Sequence, residues 1–285
     1  MAWPKKAEPG PASIPPPGWA FVTQFRCPPA ETAAAWSWSA AAELVEAARG
    51  ILEVLRRELT VMLERWDAAL RDLGGDPSRR DWLSFRPLRL TREEDWSDWL
   101  AHLMGDSRRG GFHRALFDGH SASALPALPP TTLREIPTDE GHRCDILLEW
   151  PTDGVHIEVK VGDRNFAKTV PTARAIQRLR PTVTRHVLLV PDGDAADATL
   201  DSSGPSGPQI AVLTWTEVAR ALRKCLRDPE QDLAWKAWAV ALCGAVEQRI
   251  LQLPCLGSLA RSEPATTRSL AAFATYLNLL EFGDG

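Results

Sequence analysis

Lysine is scarce in this chain, six residues against 27 arginines, and a single tyrosine stands beside 12 tryptophans. The arginine excess, with abundant alanine, reads as the mark of a GC-rich genome, and it makes each lysine position informative. Long apolar runs are missing too. No stretch approaches the ~18 to 20 residues needed to span a bilayer, and the longest uncharged helical run, Ala237 to Val246, is short. A membrane partner is therefore not expected. The five cysteines (Cys27, Cys144, Cys225, Cys243, Cys255) are odd in number, widely spaced and without a Cys-x-x-Cys pair, which argues against a disulfide scaffold and a structural zinc site. Met1 to Pro17 carries Lys5 and Lys6 followed by prolines, with no apolar segment of the secretory kind. The expected location is cytoplasmic.

What is present is an ordinary globular composition: 285 residues, 44% hydrophobic, 25% charged, formal net charge −4. That predicts one large or two small domains. Residues 1–30 hold eight prolines and read as an arm. Residues 31–75 form an N-terminal helical segment, with apolar residues from Leu44 to Leu70 at three- and four-residue intervals. Gly50 is expected to divide it and Gly74-Gly75 to end it. A further helix starts at Thr91, with Glu94 at the capping-box position and Trp96, Trp99, Leu100 and Leu103 as its stripe. Gly105 to Pro130 reads as irregular.

The period then changes to two. Strands are predicted at Thr132–Ile136, Cys144–Trp150 and Val155–Val161, the last two joined by a turn containing Asp153-Gly154. A helix over Phe166–Arg180, a break near Pro171 allowed, precedes strands at His186–Val190 and Gln209–Leu213 and a helix over Thr216–Leu226. Asp192 to Gly207 reads as an exposed loop. Residues 230–285 form a C-terminal helical segment. The order predicts an α/β core over 85–227, a mixed central sheet flanked by helices, with helices added at both termini.

Chemistry concentrates on the hairpin. Val155, Ile157, Val159 and Val161 point to one face of their strand, and His156, Glu158 and Lys160 to the other. Asp145, at the start of the partner strand, is expected at the same end as Glu158. Two carboxylates held close repel unless a cation lies between them, and hard oxygen ligands suit Mg²⁺ or Mn²⁺.

These residues resemble the PD-(D/E)XK nuclease superfamily, with its restriction-endonuclease-like core. The match is Asp145 followed by Glu158-Val159-Lys160 on a hairpin, with a helix bearing Glu93 and Glu94 before it and a strand and helix after it; Cys144 stands where the motif has proline. The resemblance implies that Asp145, Glu158 and the Val159 carbonyl hold the metal. It implies that Lys160 positions water and steadies developing charge, and that an acid of the preceding helix, Glu93 rather than Glu94, completes the site. It implies a nuclease acting on DNA, RNA being left open, with prokaryotic defence or restriction as the family's habit. An activating protein partner or self-association through the terminal helices goes with that reading. The alternative is a catalytically silent module that binds nucleic acid or scaffolds partners.

From Lys160 to Arg185 there are seven basic residues and one acid, Asp163, a local net of +6. Arg164, Lys168, Arg174 and Arg178 are the expected phosphate contacts. Gln177 lies roughly where many relatives carry glutamine. Other motifs carry little. No Walker A sequence occurs, and Gly119-His120-Ser121-Ala122-Ser123 lacks the strand a nucleophile elbow needs. The histidines show no ligand spacing, His156 reads as a surface or hydrogen-bonded residue, and the tryptophans, Trp215 included, as packing.

Overall fold

The computed structural model describes residues 38–83, 90–117, 125–162, 165–191, 208–256 and 267–281. The proline-rich arm, Arg164, the Gly119–Ser123 motif and the Asp192–Gly207 loop lie outside them.

Helix α1 (Trp38–Ala69) is followed by α2 (Glu93–Asp106), α3 (Gly111–Phe117), β1 (Thr131–Pro137), β2 (Arg143–Glu149), β3 (Gly154–Val159), α4 (Thr169–Leu179), β4 (Val183–Val190), β5 (Ile210–Thr214), α5 (Trp215–Arg227), α6 (Leu233–Ala245) and α7 (Thr267–Glu281). The strands form one sheet in the order β1-β2-β3-β4-β5. β1, β2 and β3 pair antiparallel, and β3, β4 and β5 parallel. The chain is thus α/β, a five-stranded mixed sheet flanked by helices. Among the described residues no helix is long and apolar enough to cross a membrane.

Sheet polarity follows from the connections. The short Trp150–Asp153 turn can only reverse the chain, whereas α4 returns it over the sheet so that β4 runs with β3. Ile146, Leu148, Val155, Ile157, Val159, Val187 and Leu189 face a large core shared with Trp96, Leu100, Trp215 and Leu222. The same core includes Leu59 and Trp66 of α1 and Tyr276 and Leu280 of α7, so both terminal segments pack into the body that carries the sheet. The opposite face is covered by α4, through Ile176 on Leu147 and Val183.

Four local expectations are settled by the structure. Gly50 does not divide α1: one glycine costs a helix only about 1 kcal/mol, and the surrounding residues are good helix formers. Asp95, not Glu94, closes the start of α2: its Oδ2 accepts from the backbone N–H of Thr91 and Arg92, both at 2.9 Å. The stretch after Gly105 contains α3, whose Phe112, His113, Leu116 and Phe117 are buried. Pro171 leaves α4 unbroken, since in the first turn its missing N–H has no helical partner to lose.

A buried ion triad fastens the C-terminal helices. Arg223 of α5 donates from Nη1 to Asp76 at 2.9 Å and from Nε to Glu247 at 2.6 Å, all three side chains fully enclosed. Burial works against the Asp76 carboxylate, but Arg223 outweighs it and holds its pKa below the ordinary range.

Candidate metal and phosphate site

The sheet brings the predicted residues to one end of the β2–β3 hairpin. Ile146 pairs with Ile157, so one further step along that register sets Asp145 opposite Glu158. There the ladder gives way to a side-chain contact: the Val159 N–H donates to Asp145 Oδ2 at 2.8 Å. Lys160 follows at the end of β3, its N–H donating to Leu189 O at 2.8 Å. Its ammonium lies 3.2 Å from Glu158 Oε1 and 3.4 Å from Glu93 Oε2. Glu93, first residue of α2, also accepts the Val161 N–H on Oε1 at 3.0 Å. Asp145, Glu158, Lys160 and Glu93 are thus gathered, whereas Glu94 turns to Arg143 at 3.5 Å.

The electrostatics are those of a crowded acid cluster. Three carboxylates face one ammonium, a net of −2 when all four are ionised. Burial, and then the Glu158 charge, push Asp145 up to about 7. Burial also raises Glu158, with Lys160 pulling the other way. For Lys160, burial disfavours the ammonium, but Glu158 and Glu93 outweigh it and hold its pKa above the ordinary value. The lysine is therefore charged at neutral pH and carries no lone pair to act as a base.

The donor set fits a hard divalent ion that keeps part of its water. Glu158 is 94% buried, yet its Oε2 has no hydrogen-bond partner among the described residues. A buried carboxylate oxygen left unpaired is costly, and a bound cation or a water molecule would satisfy it. Among the described residues no group of three or more His, Cys, Asp or Glu side chains is arranged to hold a metal. Both Glu93 oxygens are committed, to Lys160 and to the Val161 amide. What the site offers is Asp145, Glu158 and the intervening Val159 backbone. Mg²⁺ commonly binds through one or two carboxylates plus water and substrate phosphate rather than in a protein cage.

No protein-family profile, curated protein or solved structure matches this chain. The site's chemistry therefore rests on its own geometry.

Two further features were not legible as site elements. Glu135 lies opposite Asp145 by the β1–β2 register, in left-handed backbone at φ 56°, ion-paired with Arg134 and Arg143; its charge adds to the rise at Asp145. Trp215, the first residue of α5, donates its indole N–H to Lys160 O at 2.8 Å. Topology was the available signal: β3, β4 and β5 are parallel, so the residues that follow β3 and β5 meet at one edge.

The basic segment is less positive in space than in sequence. Lys168, Arg174 and Arg178 are exposed on and before α4, as is Gln177. Yet Arg178 pairs with Glu140, Arg180 with Glu149 at 3.7 Å and Arg185 with Asp153 at 3.1 Å. His156 is wholly buried, its Nδ1 3.3 Å from that of His186, and burial lowers the pair to about 3 and about 4. Both are neutral structural groups, as the hydrogen-bonded alternative for His156 anticipated and a surface position did not.

Proposed function

We propose that this protein is a divalent-metal-dependent nuclease of the PD-(D/E)XK type that hydrolyses phosphodiester bonds in DNA. The observation that carries the reading is the convergence of Asp145, Glu158 and Lys160 on one hairpin end, with an unpartnered buried oxygen on Glu158. Element order adds support. A helix, three antiparallel strands, a helix and a strand parallel to the third is the arrangement a restriction-endonuclease-like core would have.

Asp145 and Glu158, with the Val159 carbonyl, would hold Mg²⁺ or Mn²⁺. The ion supplies Lewis-acid charge at the scissile phosphate and lowers the pKa of water beside it. The Lys160 ammonium, beside Glu158 and Glu93, would orient water and offset charge developing on the phosphoryl oxygens. Glu93 holds that ammonium from the far side. Lys168, Arg174 and Arg178 would meet flanking phosphates.

A catalytically silent module is the second reading, favoured by the ion pairs that already bind Lys160 to Glu158 and Glu93. The test is to incubate the full chain with double-stranded DNA, single-stranded DNA and RNA in Mg²⁺, Mn²⁺ or EDTA, beside Asp145→Ala and Lys160→Ala. Metal-dependent cutting of DNA that both variants lose is the expected result. No cutting with any substrate, or variants that cut like the parent, would reject the nuclease reading.

A further inference from the structure

The backbone that carries Lys160 is held from two sides. β3 ends at Val159, and the last ladder bond is the Lys160 N–H to Leu189 O. Beyond it, Lys160 O and the Val161 N–H leave the sheet, where an unpaired peptide group would be free to rock. Each instead has a partner from a different helix. The Trp215 indole N–H donates to Lys160 O at 2.8 Å, and Glu93 Oε1 accepts from the Val161 N–H at 3.0 Å. The same Glu93 holds the Lys160 ammonium through its other oxygen at 3.4 Å.

The two braces are joined. Trp215 is wholly buried and meets Trp96 edge-to-face, ring centroids 5.5 Å apart. Trp96 lies three residues after Glu93, on the next turn of α2. The Lys160 peptide unit sets where its flexible four-carbon stem begins, and Glu158 and Glu93 hold the ammonium at the stem's far end.

We infer that Trp215 is a positioning residue for Lys160: its indole N–H, backed by Trp96, fixes the Lys160–Val161 peptide that aims the ammonium at the phosphate site. The inference rests on the nuclease reading above, since it assigns Lys160 a task in that reaction.

Lys160–Val161 is the only Lys-Val step in the sequence. Protein labelled with ¹³C′-lysine and ¹⁵N-valine therefore gives one carbonyl–amide cross-peak, which reports both ends of the clamp. Trp215 is replaced by phenylalanine and, by amber suppression, by β-(3-benzothienyl)alanine, which keeps the indole's shape and lacks the N–H. Trp235 given the same analogue is the control. Its indole also donates to a buried carbonyl, Leu103 O at 2.9 Å.

The expected result is a shifted cross-peak with faster amide exchange in both Trp215 variants. kcat falls about tenfold or more, towards the ~100-fold that a 1 Å misplacement can cost. KM and Mn²⁺ affinity hold, and the Trp235 control cuts like the parent. A cross-peak unmoved by the analogue overturns the clamp. A moved cross-peak with unchanged kcat, or an equal loss in the control, overturns the positioning role. A parent that neither binds Mn²⁺ nor cuts rejects the nuclease reading, and the positioning role with it, whereas the cross-peak still reports the clamp.

Discussion

Asp145→Asn should make the protein more stable at pH 8 without a cation, and less stable than the parent with one. The amide keeps an oxygen for the Val159 N–H and removes one of two neighbouring negative charges. Burial and Glu158 raise Asp145 from 3.8 to about 7. At about 1.4 kcal/mol per pKa unit that difference amounts to about 4 kcal/mol against the ionised form. Lys160 and Glu158 share the imbalance, so deleting one charge should recover roughly half, about 2 kcal/mol. For a chain of this size that is a rise in Tm of about 3 °C. The folded-state value lies above the unfolded one, so the folded protein keeps the proton longer. The stabilising contribution of Asp145 is complete below about pH 4 and is lost as pH rises to about 7. The variant's advantage should therefore be largest at pH 8 and less than half as large at pH 5. Mn²⁺ at 100 times its Kd should add about 2.7 kcal/mol to the parent and little to the variant, reversing their order. Urea titrations at both pH values, with and without Mn²⁺, measure all four quantities. A variant no more stable than the parent at pH 8 in EDTA, or an equal gain from Mn²⁺ in both, would refute the cation site.

Three other outcomes follow from the same geometry. Lys160→Met removes the ammonium held between Glu158 and Glu93 and should tighten Mn²⁺ binding on the order of tenfold while abolishing cutting; calorimetry showing weaker binding would contradict it. Arg223→Met leaves Asp76 and Glu247 buried without their cation and should cost roughly 3–5 kcal/mol in urea unfolding; a loss below about 1 kcal/mol would remove the triad from the stability argument. Lys168→Ala and Arg174→Ala should each lower the salt slope of DNA affinity by about one, read by fluorescence anisotropy. Glu140→Gln, which releases Arg178, should tighten binding, and unchanged slopes would place the DNA elsewhere.

The sheet was legible because its signals are local. The apolar run of β2, the alternation in β3 and the Asp153-Gly154 turn specify a hairpin, and the hairpin's register alone sets Asp145 beside Glu158. What escaped depended on partners distant in sequence. β3 reads as one apolar and one polar face, yet every residue of it is buried, because α4 covers the polar side and the β4 register sets His186 beside His156. The start of α2 was off by one acid, since Glu94 and Asp95 are equivalent in pattern and only the turn decides which carboxylate reaches back to Thr91 and Arg92. Trp215 looked like packing because its ring is packing; its N–H reaches the site only once three parallel strands align their ends.

Charge shows most clearly why linear order misleads here. The segment from Lys160 to Arg185 carries a net +6 in sequence. Folded, Lys160 is spent on Glu158 and Glu93, and Arg178, Arg180 and Arg185 each meet an acid from β2, its turns or the hairpin before it. Among the described residues of that segment, Lys168 and Arg174 are left exposed without an ion pair. Two phosphate contacts supply only a weak, shallow salt dependence. Meanwhile the Asp145–Glu158 cluster, net negative with Glu93 and Lys160 included, repels a phosphate brought to the hairpin end. A divalent ion there would cancel that −2 at the point where the scissile phosphate must sit. DNA binding by this chain should thus depend on the cation itself, weak in EDTA and strengthened by a non-catalytic ion such as Ca²⁺, with Asp145→Asn losing that dependence.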